Sequence, residues 1–307
     1  MSGRVYSQLR GSIHNLPPGP FMSLASFYQQ DRPAISFELF PPKTEAGERA
    51  LEDHVGQLMQ FEPSYVTCTY GAGGSTREKT LEIITRVRQQ FQVPVASHLT
   101  CVGSTVDQLR DYLGRARDAG IDFIVALRGD PPADQSTFQV TEGGLQYANE
   151  LVSLICSEFP GFDIAVAGYP EVHQEAASAE LDMENLKRKV EAGADVVITQ
   201  LFYNNDDFYR FRDAFDAAGI RIPLVPGILP VTSLAQIQRI ASLCKATLPE
   251  DLVSRLGEKE DADWQFEAGV EYAEKQVNDL LARGVPGLHF YVLNRSRATM
   301  RVLGACL

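Results

Sequence analysis

Short apolar runs alternate with amphipathic stretches from Ala34 to the end of this 307-residue chain, and no other feature of the sequence constrains the fold as much. Several runs are apolar on both faces and rich in Val and Ile, as expected of parallel strands that helices cover. Eight runs are therefore predicted as strands: AISFEL (34–39), SYVTCTY (64–70), PVASHLT (94–100), DFIVAL (122–127), DIAVAG (163–168), DVVITQ (195–200), IPLVPG (222–227) and GLHFYV (287–292).

Four of the intervening stretches end alike, with a glycine after a predicted helix and before the next strand (Gly120, Gly193, Gly219 and Gly284). Glycine adopts at low cost the left-handed backbone conformation that ends many helices. The repeated pattern indicates βαβ units, and eight such strands predict a (β/α)8 TIM barrel in the α/β class. An open doubly wound sheet is the alternative.

The barrel pattern divides the chain unequally. Residues 1–33 show no sustained hydrophobic period and are predicted as an N-terminal extension that packs outside the main fold. Residues 34–307 are predicted as the catalytic barrel domain. Residues 246–263, with their acidic GEKEDAD, form a longer insertion between the seventh and eighth predicted strands.

The net charge of -12 argues against general affinity for nucleic acid or for anionic membranes. No apolar run approaches the roughly 18 residues that a membrane span requires, and the N-terminus lacks the apolar core of a signal peptide. The five cysteines form no CxxC pair, which favours reduced thiols. We therefore expect a cytoplasmic protein without nucleic-acid or membrane partners.

Polar and ionisable side chains cluster where the predicted strands end. In a TIM barrel these C-terminal strand ends carry the active site. Any single strand must end in some residue, so one polar group there would mean little, but seven strands end in this way and predict a site on one rim. The groups are Glu38, Thr69, Tyr70, His98, Thr100, Arg128, Asp130, Tyr169, His173, Gln200, Asn294 and Arg295.

Glu38 is the most distinctive of these residues. It lies in SFELFPPK, where Phe37, Leu39 and Phe40 surround it with apolar side chains. Desolvation in such a place is expected to raise the pKa of the carboxyl, which suits a general acid at neutral pH. The alternative is an exposed carboxylate or one paired with Lys43.

Asp130 lies in ALRGDPP, directly after the fourth predicted strand. Gly129, between Arg128 and Asp130, is expected to let the backbone approach a flat ligand closely. A local ion pair between Arg128 and Asp130 is the alternative.

Motifs for metals and phosphates are weak. His98 and His173 have no partner at the spacing of a zinc site. YGAGGST places Thr76 where the dinucleotide fingerprint requires its last glycine. Arg188 and Lys189, on the helix predicted after the fifth strand, could reach phosphates or could belong to a solvated helix face.

SFELFPPK, TCTYGAGG, SHLTC, ALRGDPP, AGYPEVH, NLKRKVEAGAD, ITQLFY, VPGILPV and HFYVLNR occur in this order, and together they resemble methylenetetrahydrofolate reductase in its bacterial single-domain form. The resemblance runs from about Ala34 to the C-terminus. It implies reduction of 5,10-methylenetetrahydrofolate to 5-methyltetrahydrofolate by NADH or NADPH, through FAD bound in a (β/α)8 barrel. It also implies a place in one-carbon metabolism and methionine biosynthesis, and we expect a homo-oligomer.

The same resemblance implies roles for individual residues. Glu38 would protonate folate N10 and open the methylene bridge to an iminium ion, and Asp130 would tune the flavin and stabilise that cation. The folate would be bound by Gln200, Asp130, Gln236 and Arg295. The flavin and nicotinamide would be bound by Thr69, Tyr70, His98, Leu127, Arg128, Gly129, Asp130, Tyr147, Ala148, Ala167, Tyr169, His173, Ala176, Asp182, Asn185, Arg188 and Lys189.

One departure from the family concerns the folate site. Bacterial members carry an aromatic residue over the folate on the helix after ILPV, where this chain has Ile240. Two other functions remain open at this point: a folate-dependent methyltransferase barrel without flavin, and a barrel that binds flavin or folate without turnover. The sequence does not distinguish NADH from NADPH.

Overall fold

The computed structural model describes residues 22–42, 44–69, 77–131 and 138–307. Its strands form one parallel sheet in the order β7-β6-β5-β4-β3-β2-β1-β9-β8. The strands are β1 (Ala34–Leu39), β2 (Tyr65–Cys68), β3 (Val95–Thr100), β4 (Phe123–Leu127), β5 (Asp163–Gly168), β6 (Val196–Thr199), β7 (Leu224–Val225), β8 (Gly227–Ile228) and β9 (Gly287–Tyr291). The first strand lies between the second and the last, so the sheet curls into a nearly closed barrel. The prediction of a TIM barrel is confirmed.

The seventh predicted strand is divided into two short strands around Pro226. Leu224 in β7 pairs with Val197 of β6, whereas Gly227 in β8 pairs with His289 of β9. Proline has no N–H with which to continue a ladder, but its carbonyl still accepts a hydrogen bond from His289 N at 3.0 Å. The two halves therefore join the ends of the sheet.

Helices follow the strands on the outside of the barrel. They are α1 (Glu45–Leu58), α2 (Arg77–Phe91), α3 (Val106–Asp118), α4 (Ala148–Glu158), α5 (Ala179–Glu191), α6 (Asn205–Ala217), α7 (Leu234–Cys244), α8 (Glu250–Gly257), α9 (Ala262–Ala282) and α10 (Ser296–Cys306). The predicted insertion at 246–263 contains α8. The four glycines predicted to end helices all have positive φ, from 73° at Gly284 to 117° at Gly193.

Alternation along the strands separates two apolar regions. In β1, Phe37 and Leu39 point outward and belong to the larger cluster, which lies between the sheet and the helices. Ser36 and Glu38 occupy the alternate positions, which face the barrel interior. The interior is apolar near the N-terminal strand ends, where Tyr65 and Phe123 pack, and polar toward the C-terminal ends.

A 3₁₀ helix, Leu24–Gln29, closes the N-terminal end of the barrel. Leu24, Phe27 and Tyr28 are buried in the interior cluster together with the first residues of the strands. The backbone N–H of Leu24 also donates to Asp163 at 2.6 Å. The expectation that this part of the extension packs outside the main fold is therefore wrong, because its aromatic side chains fill the barrel. A domain boundary at residue 34 stays a prediction.

Candidate active site

The polar rim contains two groups of side chains. One lies inside the barrel on β1, β3 and β9 and centres on Glu38. The other lies on the loops that follow β4 and β5 and on α5. Each group is assembled from strands that are far apart in sequence, which is the usual construction of a TIM-barrel site.

Glu38 lies between two imidazole rings. Its Oε2 is 3.3 Å from Nε2 of His98 and 3.4 Å from Nε2 of His289. Glu38 is only 7% exposed, so its carboxyl has little access to water. On the other side of the His289 ring, Nδ1 lies 2.8 Å from Oγ of Ser36. The predicted general acid is thus a buried carboxyl in a cluster of histidines.

The expected rise in the pKa of Glu38 is wrong in this arrangement. Burial does raise the pKa, as predicted, but the charge attraction of His98 and the hydrogen bond of His289 outweigh it and lower the pKa to about 2. The alternative of an exposed carboxylate is also wrong, and the alternative partner Lys43 lies outside the described residues. The two imidazoles therefore favour the ionised form of the Glu38 carboxyl.

His98 Nε2 is close to Glu38 but poorly directed toward it. Among the described residues this buried nitrogen has no hydrogen-bond partner, so its 3.3 Å contact with Glu38 Oε2 is electrostatic. The hydroxyl of Thr67, on β2, is also buried without a partner in the described part of the chain. Unpaired buried polar atoms cost roughly 1–3 kcal/mol each and are common where a ligand binds.

The second group begins with Arg128, directly after β4. Its guanidinium forms an ion pair with Glu175 of the β5 loop, with Nη2 2.8 Å from Oε1. Asp130, in contrast, is exposed on the rim. The alternative of an Arg128–Asp130 pair is therefore wrong, since Arg128 binds a different carboxylate. The exposed carboxylate of Asp130 acts on Arg128 and Tyr169 through its charge.

Gly129 is required, but for a different reason from the one expected. Its φ is 87°, a left-handed conformation that other residues seldom adopt. A Cβ at this position would lie 2.6 Å from Cγ1 of Val102 and 2.9 Å from Cβ of Thr100. The missing side chain thus makes room for the segment after β3. The expected approach to a flat ligand stays a prediction.

The loop after β5 brings Tyr169 and His173 together. Their rings meet edge to face with centroids 4.6 Å apart, and Asp182 of α5 accepts a 2.9 Å hydrogen bond from the backbone N–H of His173. Burial, followed by the nearby charge of Arg128, lowers the pKa of His173. A neutral imidazole on this loop can both donate and accept hydrogen bonds.

Lys189 reaches the same loop from α5. Its Nζ donates to the carbonyl of Ala167 at 2.5 Å and lies 5.9 Å from the centre of the Tyr169 ring. Burial lowers the pKa of Lys189 to about 8, although Asp182 opposes this effect. An ammonium has three N–H donors, and the described residues provide a hydrogen bond to one of them. The remaining donors are available to an anionic ligand.

Arg188 points away from this cluster. It is 53% exposed, and its guanidinium pairs with Glu184 and also donates to Asn185, both on α5. Of the two basic residues predicted to contact phosphate, the structure therefore brings only Lys189 to the rim. Asn185 is likewise exposed on the helix.

The other residues predicted to bind the flavin lie at strand ends, on loops and at the start of α4. Leu127 and Ala167 lie at the ends of β4 and β5 and are partly buried. Tyr147 is 51% exposed just before α4, whose first residue is Ala148. Ala176 and Thr69 are partly buried on their loops, and Tyr70 lies outside the described residues.

The predicted folate residues are less well assembled. Gln200 follows β6, and its Oε1 accepts a 2.9 Å hydrogen bond from the N–H of Leu201. Gln236, on α7, is bonded to Thr232, and Arg295 is exposed immediately before α10. Ile240 is partly buried and packs against an apolar cluster that includes Ile237 and Leu252.

His289 and Tyr291 are functional candidates that the sequence reasoning missed. Both lie on β9 and face the interior; their rings are 5.3 Å apart, and the Tyr291 hydroxyl donates to the carbonyl of Thr199 at 2.7 Å. Gly227 leaves room for the Tyr291 ring, since a Cβ at position 227 would lie 2.7 Å from that ring. The sequence did contain a signal for His289, because a histidine stands at an inward-facing position of the otherwise apolar run GLHFYV.

Two negative observations apply to the described ranges of the chain. No group of three or more His, Cys, Asp or Glu side chains in them is arranged to hold a metal ion. No helix in them is both long enough and apolar enough to span a membrane.

Comparison with known proteins places these residues in context. A sequence model of methylenetetrahydrofolate reductase matches residues 23–306. The chain is 39% identical to 5,10-methylenetetrahydrofolate reductase of Escherichia coli, over 87% of this chain and 88% of the relative. It is 38% identical to methylenetetrahydrofolate reductase (NADH) 1 of Arabidopsis thaliana, over 91% of this chain and 49% of the relative.

The chain thus spans about half the length of the plant relatives and nearly all of the bacterial ones. Among solved structures, an uncharacterized protein from Clostridium thermocellum, described as binding two copies of 5-methyl-5,6,7,8-tetrahydrofolic acid, superposes with a TM-score of 0.61 at 13% identity. The alignment covers 93% of this chain and 98% of that one, and it shows a shared fold. The family match and the bacterial identity are decisive: the chain belongs to the methylenetetrahydrofolate reductase family.

Proposed function

We propose that this protein reduces 5,10-methylenetetrahydrofolate to 5-methyltetrahydrofolate with electrons from NADH or NADPH. The observation that carries the proposal is the buried carboxylate of Glu38 between two imidazoles at the strand ends, in a chain whose family match covers residues 23–306. Opening a methylene bridge between two nitrogens requires a proton on one of them, and this cluster is built to hold one.

Glu38 is the proposed proton donor. As the proton reaches N10, the bond between N10 and the methylene carbon breaks, and a cationic iminium forms on the folate. Asp130 is proposed to stabilise that cation, because an exposed carboxylate on the rim becomes a stronger electrostatic partner when bound ligands exclude water. Gln200, Gln236 and Arg295 are proposed to bind the folate.

FAD is the proposed redox cofactor, and when bound it would carry the hydride from the nicotinamide to the folate. Lys189 would hold its pyrophosphate through the N–H donors that Ala167 does not use. Arg128, fixed by Glu175, and the Tyr169–His173 pair would line its remaining contacts. These residues bind and orient the cofactor, while Glu38 and Asp130 act on the folate.

A spectral titration of the purified protein tests the proposal. Bound FAD should give an absorbance band near 450 nm, as expected for an oxidised flavin. NADH or NADPH should bleach the band anaerobically, and methylenetetrahydrofolate should restore it. A methyltransferase would show no band, and a protein that only binds its ligands would not recover the band after folate addition. Comparing NADH with NADPH in the first step would identify the electron donor.

Glu38→Gln separates the two half-reactions. The variant should retain FAD and be bleached by the nicotinamide at the wild-type rate, since that step needs no acid. Its reoxidation by folate should slow ~10²-fold or more, the usual effect of losing a positioned general acid. Wild-type reoxidation would remove Glu38 from this role. We also propose a homo-oligomer in the cytoplasm, and light scattering tests the oligomeric state.

A further inference from the structure

His289 and His98 both contact Glu38, but their surroundings differ. The His289 ring is completely buried, and both of its nitrogens have oxygen partners: Ser36 Oγ at 2.8 Å and Glu38 Oε2 at 3.4 Å. His98 Nε2 has no hydrogen-bond partner among the described residues. An imidazolium donates from both nitrogens. Of the two rings, His289 therefore has the arrangement that suits a protonated histidine.

A chain of buried hydroxyls continues from Ser36. Ser36 interacts with the phenols of Tyr65 and Tyr28, whose oxygens are 2.6 Å apart at the closed end of the barrel. Burial raises the pKa of both phenols, so both remain protonated. Ser36 Oγ can thus accept the Nδ1–H of His289 and donate its own proton to a phenol oxygen. The chain accepts a hydrogen bond from His289 without a second negative charge.

The carboxylate of Glu38 needs a positive charge beside it, because a buried ion without one is costly. The titratable groups that act on it come from β2, β3 and β9: Tyr65, Cys68, His98, His289 and Tyr291. Burial raises the pKa of the two phenols and of the thiol, so these three groups stay neutral. Within the described ranges, the two imidazoles are the groups left to stabilise the carboxylate, His98 mainly through its charge and His289 mainly through its hydrogen bond.

We propose that His289 is the positioning residue that holds the proton which Glu38 delivers to the folate. This inference rests on the proposed function. The Nε2–H bond of the imidazolium breaks as an O–H bond forms on Glu38. That O–H bond breaks in turn as the N–H bond forms on the substrate. A neutral imidazole and a carboxylate remain, and solvent at the open rim supplies a proton to the pair before the next turnover.

His289→Gln in the flavin-loaded enzyme tests the proposal. Glutamine can keep an N–H near Glu38, but it cannot carry a transferable proton. We expect FAD content and the rate of reduction by NADH or NADPH to stay within about twofold of wild type, while reoxidation by folate falls ~10–100-fold. The alkaline limb of the reoxidation rate should also move in the variant, because the group that holds the transferred proton is gone.

Histidine NMR gives a readout that does not depend on turnover. With ¹⁵N-labelled histidine, the signal absent from His289→Gln is assigned to His289. We expect both of its ring nitrogens to be protonated at pH 7 without folate. A neutral tautomer in that spectrum would overturn the proposal, and so would an unshifted alkaline limb in the variant.

Two further variants keep the test decisive. His54→Gln is the matched control: its Nδ1 contacts Ser296 at 2.9 Å on the helical shell, and both half-reactions should be unchanged. If His289→Gln fails to fold, Ser36→Ala removes the Nδ1 partner and should slow only reoxidation, with a smaller alkaline shift. Equal loss in both half-reactions would indicate a purely structural role. Wild-type protein that lacks FAD or is not reoxidised by folate would refute the proposed function itself.

Discussion

Lys189→Met should make the flavin-free protein more stable and the flavin-bound protein less so. Burial lowers the pKa of Lys189 from its ordinary 10.5 to about 8. Because the unfolded chain binds the proton more tightly, the charged lysine destabilises the fold at pH 7, and this penalty disappears as the pH rises from about 8 to 10.5. A shift of this size corresponds to about 3 kcal/mol in the free energy of unfolding.

Methionine has a similar length and removes the charge, but it leaves the carbonyl of Ala167 without its donor, which costs about 1 kcal/mol. The flavin-free variant should therefore be more stable than wild type by about 2 kcal/mol at pH 7. The gain should be smaller at pH 10, where the lysine of the wild type is largely neutral in the folded state. Urea unfolding of flavin-free protein at both pH values measures this difference.

The affinity for FAD should move in the opposite direction. Losing a charge-assisted contact with pyrophosphate should weaken binding at least ~10-fold. Lys187→Met is the matched control, since Lys187 lies on the same helix, is 49% exposed and forms an ion pair with Glu191 at 3.9 Å. Lower stability of flavin-free Lys189→Met, or an unchanged FAD affinity, would refute the reasoning.

Three further predictions concern the rim. Asp130→Asn should raise the flavin reduction potential and slow reoxidation by folate more than reduction by nicotinamide. Redox titration measures the potential and stopped-flow measures the two rates. An unchanged potential would indicate that the carboxylate is only structural. Gly129→Ala should lower the melting temperature by several degrees, because its Cβ would lie 2.6 Å from Val102 in a backbone with φ of 87°; a wild-type melting curve would contradict this. Glu38, whose pKa is lowered from 4.5 to about 2, should stabilise the fold above pH 4.5 and lose that contribution as the pH falls toward 2. Urea unfolding should therefore show the advantage of wild type over Glu38→Gln shrinking by about 3 kcal/mol across this interval, and a constant difference would count against the ion pair.

Much of the fold could be predicted from local patterns. Doubly apolar runs identified the strands, and Gly120, Gly193, Gly219 and Gly284 marked helix ends because left-handed backbone is a local requirement. The rule that barrel chemistry lies at C-terminal strand ends predicted that Glu38 and the loops after β4 and β5 belong to one rim. The packing of Leu24–Gln29 could not be predicted in this way, since its partners are the first residues of strands spread over the chain.

The electrostatics of the site could not be predicted in the same way. The apolar neighbours of Glu38 in sequence, Phe37 and Leu39, point outward to the helices, whereas its neighbours in space are His98 and His289. Desolvation can be guessed from adjacent residues, but the charges that oppose it come from other strands. For the same reason the sequence suggested Asp130, which is near in sequence, as an alternative partner of Arg128, whereas the structure pairs Arg128 with Glu175.

The pairing of β1 with β9 has a consequence for folding during synthesis on the ribosome. Ala34 has Gly287 as its partner, so one edge of β1 stays unpaired until almost the entire chain has been synthesised. An open strand edge invites association with other chains. Glu38 and His289 lie on the two sides of this last seam. A nascent chain, or one truncated before β9, therefore exposes this edge of β1 and lacks the pair of Glu38 and His289.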